Sequence, residues 1–416
     1  MSQAFRLPHG GLIDRTRPLR GTFDGSELRG FQGDTLAAAL LANGVKLVGR
    51  SFKYHRPRGI LTAGSEEPNA LVEMRSGARR EPNTRATTAE FYDGLEASSQ
   101  NRWPSLNFDL LSVNSLFSPF FVAGFYYKTF MWPSSFWEKL YEPLIRRAAG
   151  LGRAAGENDP DHYEQAFGFC DVLVIGAGPA GLSAALSAAR SGARVILCHE
   201  DFRFGGRLLS DNQEIDGAPG HAWADKAVAE LSGLDNVTLM PRTTVFGVYD
   251  GGIYGALERV SDHLPVPPAH QPRQRYWRIA AKRAVLASGS IERPIVFGGN
   301  DTPGVMMASA MRTYLNRYAV APGRKIAVFT NNDDGWRTAS DLAARNIEVA
   351  AVIDSRTNVD AKVRASVPAD LHRLGSVVLR AKGGKALSAI DVQTQTGRET
   401  ISIDALAMSG GFDPTL

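Results

Sequence analysis

Val172-Leu-Val-Ile-Gly-Ala-Gly-Pro-Ala-Gly-Leu182 reads as a buried strand, a glycine loop and the first turn of a helix. The apolar run DVLVI has the pattern of a strand covered on both faces of a parallel sheet. LSAALSAARSGA then reads as a helix rich in Ala and Leu, stopped at Gly192. RVILCHE follows as the next strand and ends in Glu200. Each glycine of G-A-G-P-A-G has its own reason. Gly176 permits the tight turn out of the strand. Gly178, with no Cβ, lets a pyrophosphate come close to the backbone. Gly181 lets helix and strand pack closely. The helix N-terminus presents free N–H groups and a partial positive charge to phosphates. Glu200 at the second strand end can accept from a ribose hydroxyl, which favours NAD or FAD over NADP. Arg203 and Arg207 leave the 2′-phosphate alternative open, and the sequence does not separate NAD from FAD.

With 416 residues the chain exceeds one ordinary core, so two or three domains are expected. The net charge of +4 gives no argument for nucleic acid. Cys170 and Cys198 are the two cysteines, so there is no disulfide framework, no CxxC dithiol and no thiolate metal site. The start MSQAFRLPHGG has no apolar signal region, and a cytoplasmic location is expected.

Residues 1–95 are expected to form a small α+β unit. RGTFDGSELRGF predicts a hairpin turning at Asp24-Gly25, and Asp34 is the expected N-cap of a short helix ended by Asn43-Gly44. This front resembles the two-iron ferredoxin-like domain of multi-subunit amine and imino-acid oxidoreductases. Cluster-bearing relatives carry cysteines after R-P-R-G. Here Arg56-Pro57-Arg58-Gly59 is followed by ILTAGSEEPN, with none, so the unit is expected to lack an iron–sulfur cluster. Lys53, His55, Arg56 and Arg58 form either a solvated basic loop or a face for a partner or an anionic cofactor.

Residues 96–169 read as an aromatic connector and linker. Residues 110–127 carry no charge, but the run contains Ser112, Asn114, Ser115, Ser118 and Pro119, which argues against a membrane span and for a buried or partner-facing segment. FFVAGFYYKTFMWP resembles the connector of heterotetrameric sarcosine oxidase α subunits.

Residues 170–416 resemble the glutathione-reductase-like class, a Rossmann-like fold with two dinucleotide units. The first is expected over 170–295 and 400–416, a degenerate second over 296–399. Gly205-Gly206 can close a loop over a cofactor. AVLASGSIERP is similar to the A-T-G-x-x-x-R-P segment of that class, with Ser288 in place of Thr. In the second unit the loop is Thr330-Asn-Asn-Asp-Asp-Gly335, whose two aspartates would repel a pyrophosphate. ISIDALAMSGGFDPTL resembles the class's last strand, returning to the first unit.

The three modules in series resemble the N-terminal part of the α subunit of heterotetrameric sarcosine oxidase. That resemblance implies NAD contacts at Gly176, Gly178, Ala180, Gly181, His199, Glu200, Asp201, Gly206, Arg207, Val245, Ser288, Gly289 and Gly411. It implies FMN shared with the β subunit, FAD in β, and tetrahydrofolate only with a further C-terminal half. The implied partners are the β, γ and δ subunits, with no nucleic acid and no membrane. No catalytic residue and no metal ligand set is expected in this chain. The implied activity is oxidation of sarcosine by O₂ to glycine, H₂O₂ and a one-carbon unit, as formaldehyde or 5,10-methylenetetrahydrofolate. The alternatives are a subunit of a related opine, proline or other amino-acid dehydrogenase, a self-sufficient FAD-dependent NAD(P)H oxidoreductase, and a purely structural subunit.

Overall fold

The computed structural model describes residues 3–119, 124, 130, 132–148, 150 and 152–415. The front unit is a five-stranded sheet in the order 26–32, 14–23, 95–99, 71–74, 81–85. Its hairpin pairs Phe23 with Ser26, and Asp24 and Gly25 take the positive φ values that a two-residue turn requires. Helix Leu36–Ala42 is wholly buried. Its N-cap is Thr35, whose hydroxyl accepts from the Ala38 N–H, one position beyond the expected Asp34. Asp34 is recruited elsewhere: its carboxylate accepts from both Arg6 Nη atoms and from the Phe31 N–H.

Strand Leu95–Ser99 belongs to the front sheet, so a front boundary at residue 95 cuts through it. The segment after it holds a 3₁₀ turn, Leu110–Phe117, and a helix, Glu142–Ala148. Most of FFVAGFYYKTFMWP lies outside the described residues. Tyr163 already begins a long strand, Tyr163–Ile175, paired in parallel with Gln274–Leu286. The stretch 163–169 is therefore sheet and not linker.

That strand is central to a six-stranded sheet ordered 237–240, 195–198, 163–175, 274–286, 253–258, 243–249. The first four are parallel and the last three run as an antiparallel meander. Helices Pro179–Arg190 and Gly220–Ser232 pack on it through Leu182, Ala185, Leu186, Ala224, Ala227 and Leu231. The meander closes on the sheet through Cys170, Leu173, Ile196, Cys198, Met240, Ala256 and Ile279.

The second unit has a five-stranded parallel sheet ordered 305–307, 405–409, 325–330, 348–354, 372–374. Ala405–Ser409 thus belongs here and not to the first unit, a correction to the placement of the last strand. An all-apolar run such as ALAM fits the interior of either parallel sheet, and only long-range packing decides. Phe412–Pro414 alone returns, pairing with Ser290–Glu292. Residues 377–402 form a separate three-stranded antiparallel sheet.

One apolar core runs from Phe23, Leu40 and Phe91 of the front unit to Met311, Val328 and Leu406 of the second. The N-terminal segment reinforces this junction, with Arg6 Nη1 donating to the Tyr318 carbonyl and Leu12 N to the Arg317 carbonyl. Arg56 and Arg58, expected in a solvated or partner-facing loop, both pair with Asp301 of the second unit. His55 is buried, its Nδ1 2.7 Å from Asp109 Oδ2. Among the described residues no helix is long and apolar enough to cross a membrane.

In the second unit's own βαβ turn, the helix Asp333–Ala344 is capped by Asn332. Asp354, the acid at the second strand end, is fully buried and accepts from Trp336 Nε1 at 2.8 Å and from Arg356. The indole thus occupies the carboxylate at that strand end, and the helix N-terminus carries two aspartates. Trp336→Phe should remove one buried donor from Asp354 and lower the unfolding free energy by about 1–2 kcal/mol. Urea titration checks this, and unaltered stability would mean Arg356 alone satisfies the carboxylate.

Candidate functional site

The first βαβ turn is open where the second is filled. Gly176 leaves the strand at φ +100, and a Cβ there would lie 2.3 Å from the Ala287 carbonyl oxygen. A Cβ on Gly181 would lie 1.8 Å from the Gly176 carbonyl oxygen, so helix and loop touch backbone to backbone. Gly178 is the helix N-cap and meets nothing within 4 Å of its Cβ position. Gly289 and Gly411 are equally open. The Gly289 carbonyl accepts from the N–H and Oγ1 of Thr415, and the Gly411 carbonyl accepts from the Arg293 N–H. Ser288 Oγ donates to the Thr415 carbonyl, so Ser288 holds the returning segment. Gly206 completes the cradle, its Cβ position 2.9 Å from Gly178 Cα, and Ala180 sits in the exposed first turn of the helix.

The acid end is equally defined. Strand Val195–Cys198 delivers His199 and Glu200 at its end. The Ala177 N–H donates to His199 Nδ1 at 3.3 Å, which puts the ring proton on Nε2. That Nε2 is buried, and the ring's further polar neighbour is the Arg203 backbone, which favours the protonated form. Burial lowers the His199 pKa, so the ring is neutral, despite the pull of Asp201 and Glu200. Glu200 is exposed and accepts from Ser65 Oγ at 3.0 Å. Asp201 is held by a bidentate contact with Arg317. Arg207 reaches Asp334 and stacks on the Phe412 ring at 4.7 Å. Val245 is half-buried in the meander core, near Cys198 and Met240. The structure therefore places Gly176, Gly178, Gly181 and Gly206 at one turn, with Ser288 and Gly289 beside it and His199 and Glu200 at the end of the adjacent strand, while Asp201, Arg207 and Val245 engage other parts of the chain. Ser65 and Arg259, which donates to the Glu200 carbonyl at 2.6 Å, were not legible in the sequence. No local motif marks them, because they meet Glu200 only through the docking of the front unit.

The site offers little chemistry of its own. Both thiols are buried, and burial pushes Cys170 to about 11 and Cys198 to about 12, far from thiolate reactivity. No group of His, Cys, Asp or Glu among the described residues could hold a metal ion. The front unit does not fit an iron–sulfur cluster, because neither cysteine lies in it. In its place the Glu67 carboxylate gathers the 60–70 loop, accepting from the N–H groups of Leu61, Thr62, Asn69 and Ala70.

A ferredoxin-like front without its cluster, joined to a mixed α/β FAD-dependent oxidoreductase fold, defines the class. Residues 16–102 match the 2Fe-2S iron-sulfur cluster binding domain family, and residues 171–229 match the FAD dependent oxidoreductase family. The L-proline dehydrogenase of P. horikoshii shares the fold, with a TM-score of 0.62 and 21% identity over 98% of this chain and 63% of that one. Within the class the likeness is to sarcosine oxidase alpha subunits, and it runs through nearly the whole chain. The Rhizobium meliloti (strain 1021) subunit is 59% identical over 99% of this chain and 42% of its own length. That of Corynebacterium sp. (strain U-96) is 39% identical over 98% and 38%. The chain thus spans about two fifths of the length of the curated relatives it matches.

Proposed function

We propose that the chain is the NAD-binding part of the alpha subunit of a multi-subunit sarcosine oxidase. The observation that carries the nucleotide assignment is the cradle of Gly178, Gly289 and Gly411, each with open space at its Cβ position, at the N-terminus of helix Pro179–Arg190. A pyrophosphate there receives the helix N–H groups and the positive end of its dipole. Glu200 accepts from the adenosine ribose, and the neutral His199 ring, buried beside it, accepts from the Ala177 N–H and so holds the loop against the strand end. NAD, when bound, supplies a hydride-accepting nicotinamide. The chain's own residues bind and orient it, and they contribute no acid, base or nucleophile to amine oxidation. In this reading FMN lies at the boundary with the beta subunit. FAD and the amine-oxidising site belong to beta, gamma and delta complete the assembly, and tetrahydrofolate binds to further alpha-subunit sequence. The reaction is oxidation of the CH–NH group of sarcosine with O₂ as acceptor.

A second reading, FAD in the same groove, is favoured by the family matched at residues 171–229. Mass spectrometry of small molecules released by heat from the purified protein separates the two. NAD without flavin is expected. FAD in stoichiometric amount would transfer the site to a flavoenzyme reading and reopen the search for a substrate pocket in this chain.

A further inference from the structure

We propose that the 60–70 loop of the front unit forms the wall of the dinucleotide site at the adenosine ribose, where Ser65 and Glu66 select an unphosphorylated 2′-hydroxyl. The inference rests on the dinucleotide reading above and adds to it a second segment of chain and a specificity.

The loop is held to a fixed shape. Glu67 Oε2 accepts from the N–H groups of Leu61 and Thr62 and from Thr62 Oγ1, and Oε1 accepts from the N–H groups of Asn69 and Ala70. Thr87 Oγ1 donates to the Gly64 carbonyl at 2.7 Å, and the buried Tyr314 hydroxyl donates to the Thr62 carbonyl at 2.8 Å. A loop fixed at both ends presents its tip, Ser65-Glu66, in one place.

That place is the acid end of the groove. Ser65 Oγ donates to Glu200 Oε1 at 3.0 Å, leaving Glu200 Oε2 and the Ser65 oxygen lone pairs for ribose hydroxyls. Arg259 locks the register, donating from Nη1 to the Thr88 carbonyl of the front unit and from Nη2 to the Glu200 carbonyl. Arg242 adds a bidentate contact with Glu90 of the front unit. The Glu66 side chain is exposed, with protein packed along one side of it. Burial raises its pKa, and the Glu200 charge pushes the same way. Glu66 follows Ser65 at the loop tip, so when ionised it adds negative charge close to Glu200, and that charge disfavours a 2′-phosphate.

Equilibrium titration of the nucleotide-free protein with NAD⁺ and NADP⁺ tests this. Ser65→Ala should weaken NAD⁺ binding about 5–10-fold, while Ser65→Thr, which keeps the hydroxyl, should stay close to wild type. Glu66→Gln should raise the affinity for NADP⁺ relative to NAD⁺ about 10-fold. Both side chains lie at the surface, and thermal melts confirm that the variants are folded. Wild-type binding with both variants unchanged would overturn the loop's role and leave the dinucleotide site intact. Failure of the wild type to bind any adenine dinucleotide would instead remove the site, and the proposed wall with it.

Discussion

Gly178→Asp is expected to yield a folded protein that holds no dinucleotide. The Cβ position is empty to 4 Å, and the backbone at φ −73, ψ −174 is extended, so the side chain fits without strain. Asp is moreover a good N-cap, and its carboxylate can accept from the helix N–H groups that would otherwise meet the pyrophosphate. The same carboxylate places a negative charge where two phosphates would lie. The expected loss is about 100-fold or more in affinity, roughly 2.7 kcal/mol. The melting temperature of the nucleotide-free protein should not fall. Gly181→Ala supplies the contrast. Its Cβ would stand 1.8 Å from the Gly176 carbonyl oxygen, a backbone atom with nowhere to move, so folding and nucleotide are lost together. Released-nucleotide assay and thermal melting on both variants separate the outcomes. Gly178→Asp protein with wild-type nucleotide content would show that the ligand does not use this turn.

Two glycines of the loop were legible in sequence because each answers a backbone demand that no other residue meets, and the third because a ligand needs the space. Gly176 needs positive φ, Gly181 needs close approach, and Gly178 needs an open cradle. The Asp24-Gly25 hairpin was legible for the same reason. What sequence could not supply was set by contacts between distant segments. Asp34 has the chemistry of an N-cap, but Arg6 and Phe31 claim its carboxylate and Thr35 takes the cap. Arg56 and Arg58 read as a free basic loop until Asp301 arrives from the second unit. The strand Ala405–Ser409 is apolar throughout, so nothing in it names its sheet. The groove's acid end shows both limits. Glu200 was marked by its place at a strand end, whereas Ser65 had no mark until the front unit docked onto it.

Arg317→Ala is the second large effect, and it tests how the two units are joined behind the groove. Arg317 is buried, sits between the Phe202 and Tyr318 rings at 4.9 and 5.0 Å, and forms a bidentate contact with Asp201. Burial pushes the Asp201 carboxyl up, but Arg317 overcomes it and holds the group at about 2 against an ordinary 3.8. The Asp201 side chain retains 28% of its accessible surface, so solvent screens part of the pair. Removing the guanidinium leaves a crowded carboxylate unpaired, a loss of about 3 kcal/mol near neutral pH. The sign of the pH dependence follows from the depressed pKa. The pair's contribution is full above the unfolded carboxyl's pKa and is lost as pH falls through the folded value near 2. The difference between wild type and Arg317→Ala should therefore be largest at neutral pH and shrink on acidification below about pH 4. Denaturant titrations at pH 7 and pH 3 measure it. Nucleotide retention should fall as well, because Asp201 adjoins Glu200 at the groove's acid end. A deficit equal at both pH values would assign the loss to packing on Phe202 and Tyr318 and leave the ion pair without a role in stability.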